Sequence, residues 1–301
     1  MVESIRKDLF SICGERGVLF DEPLSGHTSF RIGGPADAFV MPRDEEQLEK
    51  VIDYCDRNEI PRFLLGNGTN ILAADEGYRG TVIQIFKNMA GFEQNGTEIY
   101  ARAGILLSAL SAVCAEQALT GFEFASGIPG TLGGAVTMNA GAYGGEIKDV
   151  ITGARVFEPG RGIRDLKPEE LMLGYRTSVI KHTDMIVLGA GIRLEHGDPE
   201  KISAKLAELK EARTSKQPLE YPSAGSTFKR PEGYFAGKLI MDAELAGYTV
   251  GGAQVSEKHC GFVINRGGAT AADVNALIAH VVKTVEDRFG VTLEREIRSL
   301  G

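Results

Sequence analysis

The chain has 301 residues, 43% of them hydrophobic and 25% charged, the proportions of a globular protein long enough for two domains. Its formal net charge is −8, with 33 Lys and Arg against 41 Asp and Glu, and no basic stripe offsets that excess. This excludes a nucleic-acid surface and leaves any anion to be bound in a local pocket. No apolar run reaches the roughly eighteen residues of a membrane span. The N-terminal stretch MVESIRKDLFSICGERG lacks the unbroken apolar core of a signal peptide, so neither membrane nor export is expected.

Cys13, Cys55, Cys114 and Cys260 lie far apart and form no C-x-x-C pair, which predicts free buried thiols in a reducing compartment, the cytoplasm. His27, His182, His196, His259 and His280 form no H-x-x-x-H or H-E-x-x-H pair, so no metal is expected. The outlier is glycine, 38 of 301 residues, where about 7% is usual. Having no collagen-like period, these glycines indicate many special backbone positions.

In chain order, the first helix ends near Gly14 to Gly17. FRIGGPADAFVMPRDEEQLEKVIDYCDRNEIP reads as a turn, a short strand and an amphipathic helix opening at Asp44. Acids in that helix's first turn complement its dipole, and it stops before Pro61. RFLLGNGTNILAADEGYRGTVIQIF reads as strand, glycine turn, short strand, loop and strand, and GTEIYARAG as another strand. A helix from about Leu106 to Leu119 follows, then strands near Val150–Glu158 and Asp184–Leu194. Short strands mixed with few helices make an α+β pattern.

A charged helix from Asp198 to about Ser215 leads into KQPLEYPSAGSTFKRPEGYF, where Pro218, Pro222 and Pro231 mark an interdomain crossing and an ordered loop. The remainder predicts a helix near Ala236–Ala243 and strands near Gly251–Val255 and Gly261–Asn265. A long helix, Ala271–Phe289, has Val274, Leu277, Ile278, Val281, Val282 and Val285 on one face. TLEREIRSLG would form a final strand, with Glu294 and Glu296 on one side of it.

Two neutral glycine clusters stand out. GNGTN, Gly66 to Asn70, follows the apolar FLL but lacks the Lys-Ser/Thr of a P-loop and has Ile71 where a dinucleotide fingerprint needs glycine. It is an anion-binding nest or a plain β-turn. SGIPGTLGGAVTMNAGAYGG, Ser126 to Gly145, holds seven glycines and no charge. It is too glycine-rich for a helix interior, yet Ile128, Leu132, Val136 and Met138 pattern it too well for a linker. Either it is a buried loop crossing, or bare backbone receives the diphosphate of a large cofactor where side chains would obstruct it.

Three polar residues keep odd company. Ser226 lies among small residues just before Lys229 and Arg230, Arg176 edges an apolar segment in LGYRTSVI, and Glu296 alternates with Glu294 near the end, with Arg295 and Arg298 as neighbours. Taken singly they read as a turn former, a structural ion pair and a solvated edge.

HTSFRIGGPADAFV, LLGNGTNIL, ASGIPGTLGGAVTMNAGAYGGEI, YRTS, AGSTFKRP, GGAQVSEKHCGFVIN and LEREIRSLG occur in that order from His27 to Gly301. Together they closely resemble the UDP-N-acetylenolpyruvoylglucosamine reductase family, in its shorter variant. Between Tyr175 and Ser226 there is little room for the substrate-covering insertion of the longer form, and that insertion's tyrosine has no counterpart. The resemblance implies an α+β, vanillyl-alcohol-oxidase-like (PCMH-type) FAD-binding domain of two subdomains over 1–199, split near 80–90. It adds a smaller α+β substrate-binding domain over 200–290, and a C-terminal strand, 291–301, returning to the active site.

By the same resemblance, non-covalent FAD contacts Gly66, Asn67, Gly68, Thr69 and Asn70 in the first cluster. In the second it contacts Ser126, Gly127, Ile128, Pro129, Gly130, Gly133, Gly134, Asn139, Gly141 and Ala142. NADPH reduces the flavin, and hydride then passes to the enolpyruvyl methylene of UDP-N-acetylglucosamine enolpyruvate, giving UDP-N-acetylmuramate for peptidoglycan. Arg176 and Glu296, the latter through a protonated carboxyl, polarise the substrate carboxylate, while Ser226 protonates the enol carbon with help from Lys229. Tyr143, Lys216, Lys229, Arg230 and Gln254 are candidates for the UDP-sugar. The longer form has Asn where Arg230 stands and a diphosphate-contacting Lys where Ala246 falls, which leaves those contacts open. His259 and Cys260 are unusual beside an expected pocket strand, where they serve either the core or the pocket. The alternatives are another FAD oxidoreductase of the superfamily acting on an alcohol or sugar, and a non-enzymatic nucleotide-binding module. The sequence leaves the oligomeric state open, a monomer being compatible with it.

Overall fold

Residues 3–301 are described by the structure, a computed structural model. The chain separates into two compact units, and neither is one continuous stretch. The first is built from 1–19, 39–67 and 81–213, the second from 20–38, 68–80 and 214–301.

The first unit is organised on an antiparallel sheet in the order Gly162–Leu166, Ile151–Glu158, Ile186–Arg193, Glu98–Arg102, Phe92–Asn95. Ile186–Arg193 is its central strand and reads as a nearly unbroken apolar run, with Val187, Leu188, Ala190 and Ile192 all buried. The helix Leu132–Met138 packs on that strand. The helices Glu3–Cys13 and Glu45–Arg57 pack on each other in the same unit. Asp44 caps the second of these, accepting from the Gln47 N–H at 2.8 Å, so the helix starts where its acids predicted. The strand Arg62–Leu65 runs parallel to 81–84, Leu65 opposite Gln84, and ends at the first glycine turn.

A helix at Leu132–Met138 departs from the sequence expectation, since LGGAVTM carries two glycines. Both fall in its first turn, where the helix abuts another backbone. The Gly133 N–H donates to Ala103 O at 2.8 Å, and a Cβ on Gly133 would lie 3.0 Å from Ala103 Cβ. Close approach, rather than flexibility, accounts for the glycine.

The second unit has an antiparallel sheet in the order Ser223–Ser226, Phe262–Asn265, Ala253–Val255, Thr249–Val250, covered by the helix Ala271–Phe289. Thr270 and Asp273 form a capping box at that helix's start, and Gly290, φ 66, ends it. Its apolar stripe of Val274, Leu277, Val281 and Val285 is buried at 0% exposure. Phe30, Ile32 and Leu72, from the two early segments, complete the same core. Each such side chain contributes about 1.5–3 kcal/mol by leaving water, so the early segments are integral to this unit.

The C-terminal strand is shorter than expected. Only Arg298–Leu300 is strand, pairing parallel with Ile71–Ala73, while Arg295 makes an isolated bridge to Phe228. The tail changes partner between these points, and one regular strand cannot follow two neighbours.

Candidate functional site

In the first unit the two glycine clusters meet. Asn67 Nδ2 donates to Pro129 O at 2.7 Å, and Gly66 lies against Thr131, whose Oγ1 would be 2.6 Å from any Cβ there. Gly130 O accepts from Leu107 N at 3.1 Å, and Leu132 N donates to Ile105 O at 2.9 Å, so the segment is pinned on both sides of Thr131. Thr131 is also the N-cap of the Leu132–Met138 helix, accepting weakly from Gly134 N at 3.5 Å. Ser126, Gly127 and Ile128 follow the short helical turn Glu123–Ala125, with Ser126 N on Glu123 O and Ile128 N on Ala125 O.

Among the described residues, the peptide N–H groups of Asn67, Gly127, Gly130 and Thr131 donate to no protein acceptor. A neutral cradle with spare peptide donors fits the diphosphate of a dinucleotide such as FAD, because N–H groups bind anions without a bulky side chain.

Asn139 caps the end of the helix with φ 43 and is fully buried. Its Nδ2 donates to Glu146 Oε2 at 2.6 Å and Gly174 O at 3.0 Å, and its Oδ1 accepts from Lys148 N at 2.9 Å. The side chain is therefore spent on joining two hairpins, and its peptide N–H donates to Val136 O at 3.2 Å. One hairpin pairs Gly141–Ala142 with Gly145–Glu146 and turns at Tyr143 and Gly144, both with positive φ. The other pairs Gly174 with Thr177 and carries Tyr175 and Arg176 at its tip.

Arg176 has φ 56, a conformation unfavourable for a side-chain-bearing residue. It is held there by Lys181 Nζ donating to its carbonyl at 3.0 Å. Its Nη2 donates to Gly141 O at 3.2 Å and its guanidinium lies 5.1 Å from the Tyr175 ring centroid. Tyr143 and Tyr175 are both exposed.

Arg213 was missed by sequence reasoning. Its side chain lies against Gly127, with Cδ 3.0 Å and Nη1 3.1 Å from where a Cβ would stand. Burial pushes its guanidinium below the ordinary range, Tyr143 acts the other way, and no carboxylate of the described residues contributes. The only sequence signal was an Arg in the last turn of a charged helix, which solvation explains equally well.

In the second unit Gly68, Thr69 and Asn70 continue the first turn. Gly68, φ 65, is indispensable in this packing, since a Cβ there would lie 2.0 Å from His27 O. The N–H groups of Gly68, Thr69 and Asn70 also donate to no protein acceptor among the described residues. Asn70 Nδ2 donates to Glu296 O at 3.3 Å, and Arg298 N donates to Asn70 O at 3.0 Å.

Ser226 ends an edge strand immediately after a bulge. Ser223 pairs with Ile264 and Ser226 with Phe262, three residues against two, and Gly225 takes the extra step with φ 74. The next residue, Thr227, is fully buried, donates its N–H to Gly261 O at 2.8 Å and accepts from Val263 N through Oγ1 at 3.0 Å. Glu296 N donates to Thr227 O at 2.9 Å, so the backbone sets Glu296 beside Ser226. Arg176 belongs to the first unit.

The other expected substrate contacts divide by how far the protein already uses them. The Lys229 ammonium is held by Glu294, whose carbonyl accepts from Lys229 N at 2.8 Å. Glu294 is 70% exposed, so this ion pair is weak. The Arg230 guanidinium stacks 3.9 Å from the Phe235 ring centroid. Gln254 Nε2 donates to Gly247 O and Thr249 Oγ1, both at 3.1 Å, leaving its carbonyl oxygen for a ligand. Lys216 is exposed. His259 Nδ1 accepts from Gly261 N at 3.1 Å, its half-buried ring packs edge-on against Phe262, and burial lowers its pKa below the ordinary value.

Residues 217–300 match the family model described as UDP-N-acetylenolpyruvoylglucosamine reductase, C-terminal domain, and residues 36–165 match an FAD binding domain. A UDP-N-acetylenolpyruvoylglucosamine reductase of Lachnoclostridium phytofermentans is 54% identical over 301 residues, covering 99% of this chain and 97% of that one. The chain belongs to this reductase family.

A solved family member from Thermus caldophilus is 34% identical with a TM-score of 0.81, covering 94% of this chain and 98% of its own. An alkyldihydroxyacetonephosphate synthase structure reaches a TM-score of 0.51 at 18% identity over 65% of this chain and 41% of its own, a likeness of fold alone. The architecture is accordingly the vanillyl-alcohol-oxidase-like, PCMH-type FAD-binding fold, mixed α and β, and FAD is the cofactor of the family. Among the described residues, no helix is long and apolar enough to cross a membrane.

Proposed function

We propose that this protein reduces the enolpyruvyl ether of UDP-N-acetylglucosamine enolpyruvate to UDP-N-acetylmuramate, using FAD, with NADPH as reductant. Family membership supports the reaction. One observation carries the assignment of residues: Glu296 N on the Thr227 carbonyl, which sets the tail carboxylate's segment beside the bulge that presents Ser226.

When bound, FAD supplies the hydride for the methylene carbon. The chain holds FAD with peptide groups of Gly66–Asn70 and Ser126–Gly134, with Arg213 as an additional anion contact on Gly127. Arg176 receives the substrate carboxylate. Its guanidinium is already oriented by Gly141 O and the Tyr175 ring, so little reorganisation accompanies the developing enolate. Glu296 polarises the same group. Ser226 gives its hydroxyl proton to the carbon bearing the carboxylate, a transfer a weak acid makes only to a strongly basic enolate. Residues 200–290 bind the nucleotide, through Lys216, Lys229, Arg230 and Gln254, with Tyr143 from the FAD-binding part over 1–199. The four buried thiols suit work in the cytoplasm.

The test follows flavin absorbance in the purified holoprotein under anaerobic conditions. NADPH should bleach it, and UDP-N-acetylglucosamine enolpyruvate should restore it with formation of the lactyl ether. A flavin that is reduced but indifferent to the sugar nucleotide overturns the reading.

A further inference from the structure

The HTSFRIGG segment is bound up with the site although no step of the reaction uses it. His27 O packs beneath Gly68, and Ser29 N donates to Gly68 O at 3.1 Å. Ser29 Oγ donates to Ser223 O at 2.6 Å, and Asn265 Nδ2 donates to Phe30 O at 3.1 Å. Ser223 opens the bulged strand whose last residue is Ser226.

That strand is an edge strand, so its outer carbonyls have no sheet neighbour. Two groups from outside the sheet hold this segment: Ser29 Oγ on Ser223 O and Glu296 N on Thr227 O. Ala224, Gly225 and Ser226 lie between these pins. Gly225 is at φ 74 with open space around its missing Cβ, while Ala224 beside it is buried in the core. The sheet holds the segment from one side, through Asn265 N on Pro222 O and Thr227 N on Gly261 O, and the two pins hold it from outside the sheet. A bulge free to slide would carry the Ser226 hydroxyl with it.

We propose that Ser29 is a positioning residue for the Ser226 hydroxyl, acting through the Ser223 carbonyl. The inference rests on Ser226 being the proton donor. Ser29 touches neither substrate nor reacting atoms in this role. It fixes where the bulge begins, while its peptide N–H ties the same segment to the Gly68 carbonyl of the flavin turn.

The test compares Ser29→Ala with wild-type holoenzyme in separate half-reactions. Flavin reduction by NADPH should stay within about twofold. Reoxidation by UDP-N-acetylglucosamine enolpyruvate should slow by about tenfold or more, the scale of a small misplacement of a reacting group. Substrate affinity should be unchanged. Ser29→Thr, which keeps the hydroxyl, should restore reoxidation. In the holoenzyme, hydrogen exchange at the Gly225 and Ser226 amides should accelerate in Ser29→Ala alone, while core amides of the Ala271–Phe289 helix are unaffected.

Equal slowing of both half-reactions, no slowing, or exchange that rises across the whole chain overturns the proposal. Should Ser29→Ala not fold, Ser29→Cys, a weak donor of similar volume, carries the same expectations. A wild-type enzyme whose reduced flavin ignores the substrate refutes the functional reading and this inference together. A wild type that turns over beside an unimpaired Ser29→Ala refutes the inference alone.

Discussion

Gly68→Ala separates two costs that glycine substitutions usually mix. Alanine at φ 65 adopts the left-handed region, which costs about 1–2 kcal/mol. Its Cβ would also stand 2.0 Å from His27 O, a backbone atom, where about 3.0 Å is the closest real approach. The turn and the His27 segment must separate by about 1 Å, and overpacking of that kind costs about 1–3 kcal/mol more. The sum is about 2–5 kcal/mol. Gly96 provides the control, since its φ is 60 and nothing lies within 4 Å of a Cβ there. Gly96→Ala should therefore lose only the first cost. At about 2–4 °C per kcal/mol, Gly68→Ala should melt about 4–20 °C below wild type and Gly96→Ala about 2–8 °C below. Circular-dichroism melts of the FAD-free proteins measure this, and equilibrium dialysis measures FAD. Only Gly68→Ala should lose flavin affinity, because only that turn is displaced. Equal melting points with equal FAD retention would refute the steric argument.

Ser226→Ala should leave NADPH bleaching of the flavin at the wild-type rate and abolish its return on adding UDP-N-acetylglucosamine enolpyruvate. Normal turnover would remove Ser226 from the mechanism. Arg213→Met should weaken FAD binding about 10- to 100-fold, the range of a charge-assisted hydrogen bond. It should leave the FAD-free melting point unchanged or higher, because a desolvated, unpaired cation is gone; a lower melting point with intact FAD affinity would make Arg213 structural. Burial raises Cys13 to about 11 and Cys114 to about 12. Native protein should therefore resist thiol reagents at neutral pH and react at all four cysteines once unfolded. Stability conferred by these thiols is complete below their ordinary value of 9.0 and is lost as pH rises toward 11 and 12. His259 runs the other way. Burial lowers it from 6.5, so its contribution is present above pH 6.5 and is lost on acidification. The stability deficit of wild type relative to His259→Phe should grow only below that pH, as seen in urea titrations.

What could be read from the sequence was whatever depends on local spacing. The Ala271–Phe289 helix was visible in its Val-Leu-Ile stripe, and the Glu45–Arg57 helix in its Asp44 cap, since both signals lie within a few residues of the element they define. Neutral glycine turns identified themselves because no other residue tolerates φ 65 against a carbonyl. The order of motifs was enough to indicate the reductase family and its flavin. The glycines in Leu132–Met138 were misread because the reason for Gly133 is Ala103, thirty residues earlier in the chain. The tail was taken for one strand because alternation cannot reveal that its partner changes from Phe228 to Ile71.

Arg213 looked like one more cation on a charged helix until Gly127 was found beneath it, and nothing near Asn139 in sequence announced that its side-chain amide bonds Glu146, Gly174 and Lys148. Ser29 showed nothing at all before Ser223 was placed 2.6 Å away, across 194 residues of sequence. Local chemistry writes itself into neighbouring residues. A hydrogen bond between distant segments leaves no such trace, because either partner taken alone is an ordinary serine or an anonymous carbonyl, and only the fold brings them within reach.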